Sequence, residues 1–100
     1  MIEILVDIDL EEFIPKYLQN KYDDIKKINE FIKEKNFDEL RKIGHNFQGT
    51  GTSYGFEFVS KCGKNLRQSA ILKDINTIKK IASELDYYFK NINVKYIKID

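Results

Sequence analysis

Apolar residues recur at intervals of three and four along most of the chain, a spacing typical of amphipathic helices. The first series indicates a helix from about residue 10 to residue 35. Asp9 and Glu12 have capping-box spacing at its start, and Pro15 suits a first helical turn. The apolar positions of this helix are Ile14, Leu18, Tyr22, Ile25, Ile28 and Ile32.

Three further series predict three more helices. Asn36 and Glu39 have a second capping-box spacing, which predicts a helix over Phe37–Ser53. Tyr54-Gly55 indicates a break or tight connection before the third helix, and Asp74 can cap the fourth. The apolar positions are, in turn, Leu40, Ile43, Phe47 and Tyr54; Phe56, Val59, Cys62, Leu66 and Ala70; and Ile75, Ile78, Ala82, Leu85, Phe89 and Ile92. Short connections between amphipathic helices predict an all-α, antiparallel four-helix bundle with a short extra N-terminal helix.

The two ends of the chain do not follow the helical period. Ile2, Ile4 and Val6 alternate with their neighbours, and residues 94–99 have a similar short extended pattern. These two segments suit a small two-stranded ribbon formed by the termini.

Composition narrows the class of protein. A chain of 100 residues is the size of one domain, so residues 1–100 are expected to form a single domain. Its 17 Lys and Arg residues nearly balance 16 Asp and Glu residues, which gives no electrostatic case for nucleic acid or an anionic membrane. The single cysteine, Cys62, excludes an internal disulfide and favours a reducing cytoplasm. Residues 1–10 lack the basic lead and small-residue cleavage site expected of a signal peptide, and no apolar run of the sequence is long enough to cross a bilayer.

The candidate chemistry lies on the second helix. With Leu40 at zero on a helical wheel, the other apolar positions fall within roughly 60°, whereas His45 lies at about 140° and points to solvent. Gln48 at about 80° and Gly49 at about 180° flank the imidazole one turn further on. Glycine in an exposed helix costs about 1 kcal/mol relative to alanine, so Gly49 suggests that a partner needs room beside His45. Gly51 points near the core and suits a close helix contact.

A lone histidine on a polar helix face is often only a solvated residue, and its neighbours are what favour a function. The run from His45 to Gly49, His-Asn-Phe-Gln-Gly, followed by Gly55 and Phe56, resembles the His-x-x-Lys-Gly...Gly segment of histidine phosphotransfer domains. The resemblance extends to residues 10–21, residues 38–44 and the later helix that carries Leu66, so it covers most of the chain.

The resemblance implies a specific function. Such domains are four-helix bundles whose exposed histidine accepts a phosphoryl group at Nε2 from a receiver aspartate, or returns it. By resemblance, His45 is the phosphoryl acceptor of a cytoplasmic phosphorelay carrier without kinase activity of its own. The partners implied are a response-regulator receiver domain, which would bring Mg²⁺, and a hybrid or sensor histidine kinase. Gly49 and Thr52 would belong to the docking face.

Two positions depart from the family pattern. Gln48 replaces the usual lysine, and Arg67 stands where the family often has Glu or Gln to orient the histidine. If Gln48 and Arg67 face each other across a groove, the positive charge that the family carries on the histidine helix is supplied here by Arg67 on the next helix. Alternatively, Gln68 takes the role of orienting the histidine. Arg67 as an ordinary solvated charge, with a weakened site, is the simpler alternative.

A second function therefore stays open, a receiver-binding module of the same fold that is never phosphorylated. A bundle enzyme or metal carrier is disfavoured, because the sequence has no paired Glu and Glu-x-x-His ligands for a metal centre.

Overall fold

The computed structural model describes residues 1–99 and shows four α-helices between two terminal strands. In chain order the elements are β1 (Ile2–Asp7), a 3₁₀ helix (Ile8–Phe13), α1 (Ile14–Glu34), α2 (Phe37–Ser53), α3 (Glu57–Ile71), α4 (Ile75–Asn91) and β2 (Ile92–Ile97). The prediction of four main helices is confirmed, and the expected short N-terminal helix is the 3₁₀ helix.

Local caps fix the beginnings of α2 and α4. The side chain of Asn36 accepts a hydrogen bond from the Glu39 amide at 3.3 Å, and α2 covers the predicted Phe37–Ser53. At α4, Asp74 accepts bonds from the Thr77 amide and hydroxyl at 3.2 and 2.7 Å. These bonds favour the ionised carboxylate and hold the pKa of Asp74 below its ordinary value. Both predicted caps are therefore confirmed.

The start of the first helix differs from the prediction. Residues 8–13 form the 3₁₀ helix, and α1 begins only at Ile14, with Pro15 in its first turn as expected. The capping box of Asp9 and Glu12 is wrong as an assignment, because the Asp7 carboxylate accepts the Asp9 amide at 3.0 Å. The acidic residue that ends β1 thus caps the next element.

The buried face of α1 follows the predicted stripe only in part, with Ile14, Ile25 and Ile28 buried as predicted. Tyr22 is 39% exposed and its hydroxyl donates to the Phe89 carbonyl at 3.1 Å, whereas Tyr17 and Lys21 are buried. The neighbours of α1 decide this face, since both α2 and α4 pack against it. The stripe therefore widens toward α2.

The helices enclose one hydrophobic core. Each helix packs against the next along the chain, and α1 also contacts α4. Every apolar position predicted for α3 is buried, including Cys62. The largest fully buried side chains are Phe47, Phe56, Ile14, Ile28, Leu40, Leu66, Ile78, Leu85, Val6 and Val59. Each such side chain contributes about 1.5–3 kcal/mol by leaving water, so these faces dominate the stability of the fold.

The terminal segments correct the expectation of an all-α fold with a ribbon. They do pair, but β1 and β2 run parallel, in a register that joins Ile2 to Ile92 and Asp7 to Ile97. Val6 of this small sheet is fully buried in the core. Strand direction was not predictable because the two segments are far apart in sequence and meet only through the path of the helices.

Candidate functional site

His45 lies on the solvent side of α2. It is exposed, while Leu40 and Phe47 on the other side of the same helix are fully buried. Within residues 1–99 the imidazole has no side-chain hydrogen bond or ion pair. The predicted outward orientation is confirmed, and both ring nitrogens are available to a partner.

The surface next to His45 is open at Gly49. A Cβ atom at this position would meet no atom within 4 Å, so nothing in the fold requires glycine there for packing. Its predicted place on the exposed face is confirmed. A partner therefore has free space one helical turn from the imidazole.

On the neighbouring side, α2 approaches α3 backbone to backbone. A Cβ atom at Gly44 would lie 2.6 Å from the Arg67 nitrogen, and one at Gly63 would lie 2.5 Å from the Gln48 nitrogen. Gly51 makes a third such approach, as predicted. Because the helices touch this closely, polar side chains at the border of α3 lie beside the His45 face of α2.

The Ser60 hydroxyl of α3 links two backbone groups of α2 at this border. Ser60 Oγ donates to the Gln48 carbonyl at 2.8 Å and accepts from the Thr52 amide at 2.7 Å. In an uninterrupted α-helix these two α2 backbone groups would bond to each other. Thr52 Oγ1 also lies 3.3 Å from Glu57 Oε2. Gln48 and Thr52, both predicted site residues, are thereby fixed against α3.

Two lysines complete this border. Gln48, Thr52 and Ser60 line a shallow depression together with Lys61 and Lys64, and both lysines are exposed. Lys64 follows Gly63, whose added Cβ would lie 2.5 Å from the Gln48 nitrogen, and Lys64 shares this depression with Gln48. Sequence reasoning missed it. The available sequence signal for Lys64 was its position directly after Gly63, with Ser60 and Arg67 one helical turn before and after it.

The other two predicted residues lie elsewhere. Arg67 is half-buried opposite Gly44, one turn beyond the depression that Gln48 shares with Lys64. Gln68 lines a separate depression between α3 and α4, beside Thr77. The structure therefore brings together His45, Gln48, Gly49 and Thr52, with Arg67 at the margin, and it gives no support to Gln68 as the orienting residue.

A buried lysine supports α2 on the side of α1. Lys21 Nζ donates to Asn46 Oδ1 at 3.1 Å, lies 3.6 Å from Asp24, and stands over the rings of Phe47 and Tyr17, at 4.4 and 5.1 Å. Burial lowers the pKa of Lys21 from its ordinary value, and Asp24 opposes that shift. Asn46, the residue next to His45, is thus held against α1 by its hydrogen bond to Lys21.

The surface around His45 is open and solvent-exposed. Residues 1–99 contain no group of three or more His, Cys, Asp and Glu side chains that could hold a metal ion. No helix in this part of the chain has the length and apolar character to cross a membrane. No protein-family model matches the sequence, and no curated protein or solved structure matches the chain. The likeness to histidine phosphotransfer domains therefore depends on the His45 segment and its setting.

Proposed function

We propose that this chain is a phosphorelay intermediate that carries a phosphoryl group on His45 between receiver-domain aspartates. The observation that carries the proposal is the exposed, unpartnered imidazole beside the open surface at Gly49. A receiver must bring its aspartate within bonding distance of the histidine, which requires free space around it. A histidine with only a structural role has no need of that space.

The transfer step needs only the imidazole and the partner. The lone pair of His45 Nε2 attacks the phosphorus atom, the P–N bond forms, and the bond between phosphorus and the aspartyl oxygen breaks. The carboxylate leaves with the electron pair, and the imidazole releases its Nδ1 proton to water. The reverse sequence passes the phosphoryl group to another receiver aspartate.

Lys64 and Lys61 would supply the positive charge that the family usually places at the position of Gln48. Both lysines border the depression that contains Gln48, whose amide can donate to phosphoryl oxygens. The Mg²⁺ of the reaction would come with the receiver, together with the acidic residues that bind it.

The arrangement of helices supports the same proposal. Each helix packs against the next and α1 packs against α4, which supports the proposal that the helices form a four-helix bundle. The partners would be a response-regulator receiver and a sensor or hybrid histidine kinase in the cytoplasm, since the carrier itself has no kinase function in this scheme.

Incubation with radiolabelled, phosphorylated receiver domains of the same organism tests the proposal. We expect label on the wild-type chain that is stable in base and labile in acid, and no label on His45→Gln. Lys64→Met should slow labelling about tenfold, because one charge-assisted hydrogen bond contributes about 1.5–3 kcal/mol. Lys33→Met, at an exposed lysine of α1, is the matched control and should transfer at the wild-type rate.

Binding without labelling would contradict the carrier role. If a receiver binds the wild-type chain and His45→Gln equally, and neither is labelled, the chain is the non-phosphorylated receiver-binding module instead.

A further inference from the structure

A groove lies away from His45, between β1 and the helix pair α3 and α4. Its volume is about 840 Å³, and residues 2–5 of β1 form one wall. The other wall carries Phe58, Tyr87 and Tyr88. The rings of Phe58 and Tyr88 stack with centroids 4.6 Å apart, and Tyr87 is 65% exposed. Tyr88 is buried and Phe58 is half-buried, so Tyr87 is the ring of this wall that is most open to a partner.

The strand that borders this groove has a free edge. β1 pairs only with β2, so its second edge has no strand partner within residues 1–99. At the far end of the strand, the Leu5 carbonyl oxygen comes within 3.7 Å of a Cβ placed on Gly55, where φ is +90°. The edge contains no proline. Unpaired backbone amides and carbonyls on such an edge are a template for another strand.

The charge of the groove indicates which kind of ligand it can bind. Three carboxylates line it, those of Glu3, Glu57 and Glu84, and no lysine or arginine does. Of these three carboxylates, Glu3 alone forms an ion pair within residues 1–99, with Lys95 at 3.7 Å on the surface. The excess negative charge favours a cationic ligand.

The same charges disfavour a second copy of this chain as the occupant through its own β1. That strand carries Glu3 and Asp7 and no basic residue, so pairing β1 with β1 would bring carboxylates against an acidic groove. A basic extended segment meets no such repulsion.

We propose that this groove binds an extended segment of a partner protein, with apolar residues alternating with Lys or Arg, as a third strand beside β1. Backbone hydrogen bonds to β1 would hold the segment, and alternate side chains would pack on Tyr87 and the exposed part of Phe58. A segment of about five residues spans roughly 17 Å, the length of a short strand. The proposal goes beyond phosphotransfer and does not depend on it, because His45 does not line the groove.

Selection of random ten-residue peptides displayed on phage against the full chain tests this surface. We expect enrichment of peptides in which apolar residues alternate with Lys or Arg. The best peptide is then synthesised with a fluorophore and titrated by anisotropy. N-methylation of alternate backbone nitrogens should weaken binding at least tenfold, and methylation of the intervening ones should not, since a strand edge uses every second amide.

Glu84→Lys should weaken the peptide about three- to tenfold, as expected for reversal of one exposed charge interaction. Glu30→Lys, at an exposed position of α1, makes the same charge change and should leave binding unchanged. Selection that enriches no peptide, a peptide indifferent to Glu84→Lys, or methylation effects without the two-residue period would each overturn the proposal. A dimer in sedimentation equilibrium that Tyr87→Lys abolishes would also overturn it, by assigning the groove to a second copy.

Discussion

Gly44 and Gly49 lie five positions apart on α2, and they occupy opposite environments. At Gly44 an added Cβ would lie 2.6 Å from a backbone nitrogen of α3, whereas at Gly49 it would meet nothing. Close packing therefore explains Gly44 and leaves Gly49 without a structural reason. The glycines on the α3 side are therefore required by the close packing of α2 and α3, whereas packing does not account for the glycine beside His45.

The largest effect is expected from a substitution on the packed side. In Gly63→Ala the new methyl group would meet the Gln48 nitrogen at 2.5 Å and the Gly44 oxygen at 2.7 Å. Both are backbone atoms, so the helices must separate, and we expect the free energy of unfolding to fall by about 3 kcal/mol. Urea unfolding followed by circular dichroism measures the change. A loss under about 1 kcal/mol would show that the α2 and α3 contact adapts easily.

The opposite sign is expected on the exposed side. Gly49→Ala should raise the free energy of unfolding by about 1 kcal/mol, because alanine is the better helix former and no atom obstructs its methyl group. The same substitution should slow phosphoryl transfer from a receiver by narrowing the approach to His45. Equal transfer rates in the more stable variant would remove Gly49 from the docking surface, while His45→Gln would still test the carrier role separately.

The smallest effect concerns the third side of α2, where Lys21 packs. Burial lowers the pKa of Lys21 in the folded chain from the ordinary 10.5. At pH values between the folded pKa and the ordinary one, the unfolded chain therefore binds more protons than the folded chain. Lys21 therefore makes the free energy of unfolding rise with pH over that window, and Lys21→Met should lack this rise.

The raised pKa values of Cys62 and Tyr88, about 12 in both cases, act in the opposite direction at alkaline pH. They are present in both proteins, so the difference between wild type and Lys21→Met isolates the lysine. Parallel unfolding curves from pH 8 upward would contradict the buried, charged state of Lys21.

Features that depend on residues a few positions apart could be predicted from the sequence alone. The bounds of α2, the caps at Asn36 and Asp74, the buried stripe of α3 and the outward direction of His45 all follow from helical period and local hydrogen bonds. Each of these signals is complete within one or two helical turns, so no knowledge of the rest of the fold was needed.

Features that depend on distant segments could not be predicted and emerge only from the packing of the folded chain. The parallel pairing of β1 with β2, the burial of Lys21, and the position of Lys64 beside Gln48 follow from how the helices pack. Such contacts join residues 16 to 90 positions apart, and their geometry is fixed by the backbone approach at Gly44, Gly51 and Gly63. The periodicity of one helix shows which side is buried, but it does not specify which neighbour covers that side.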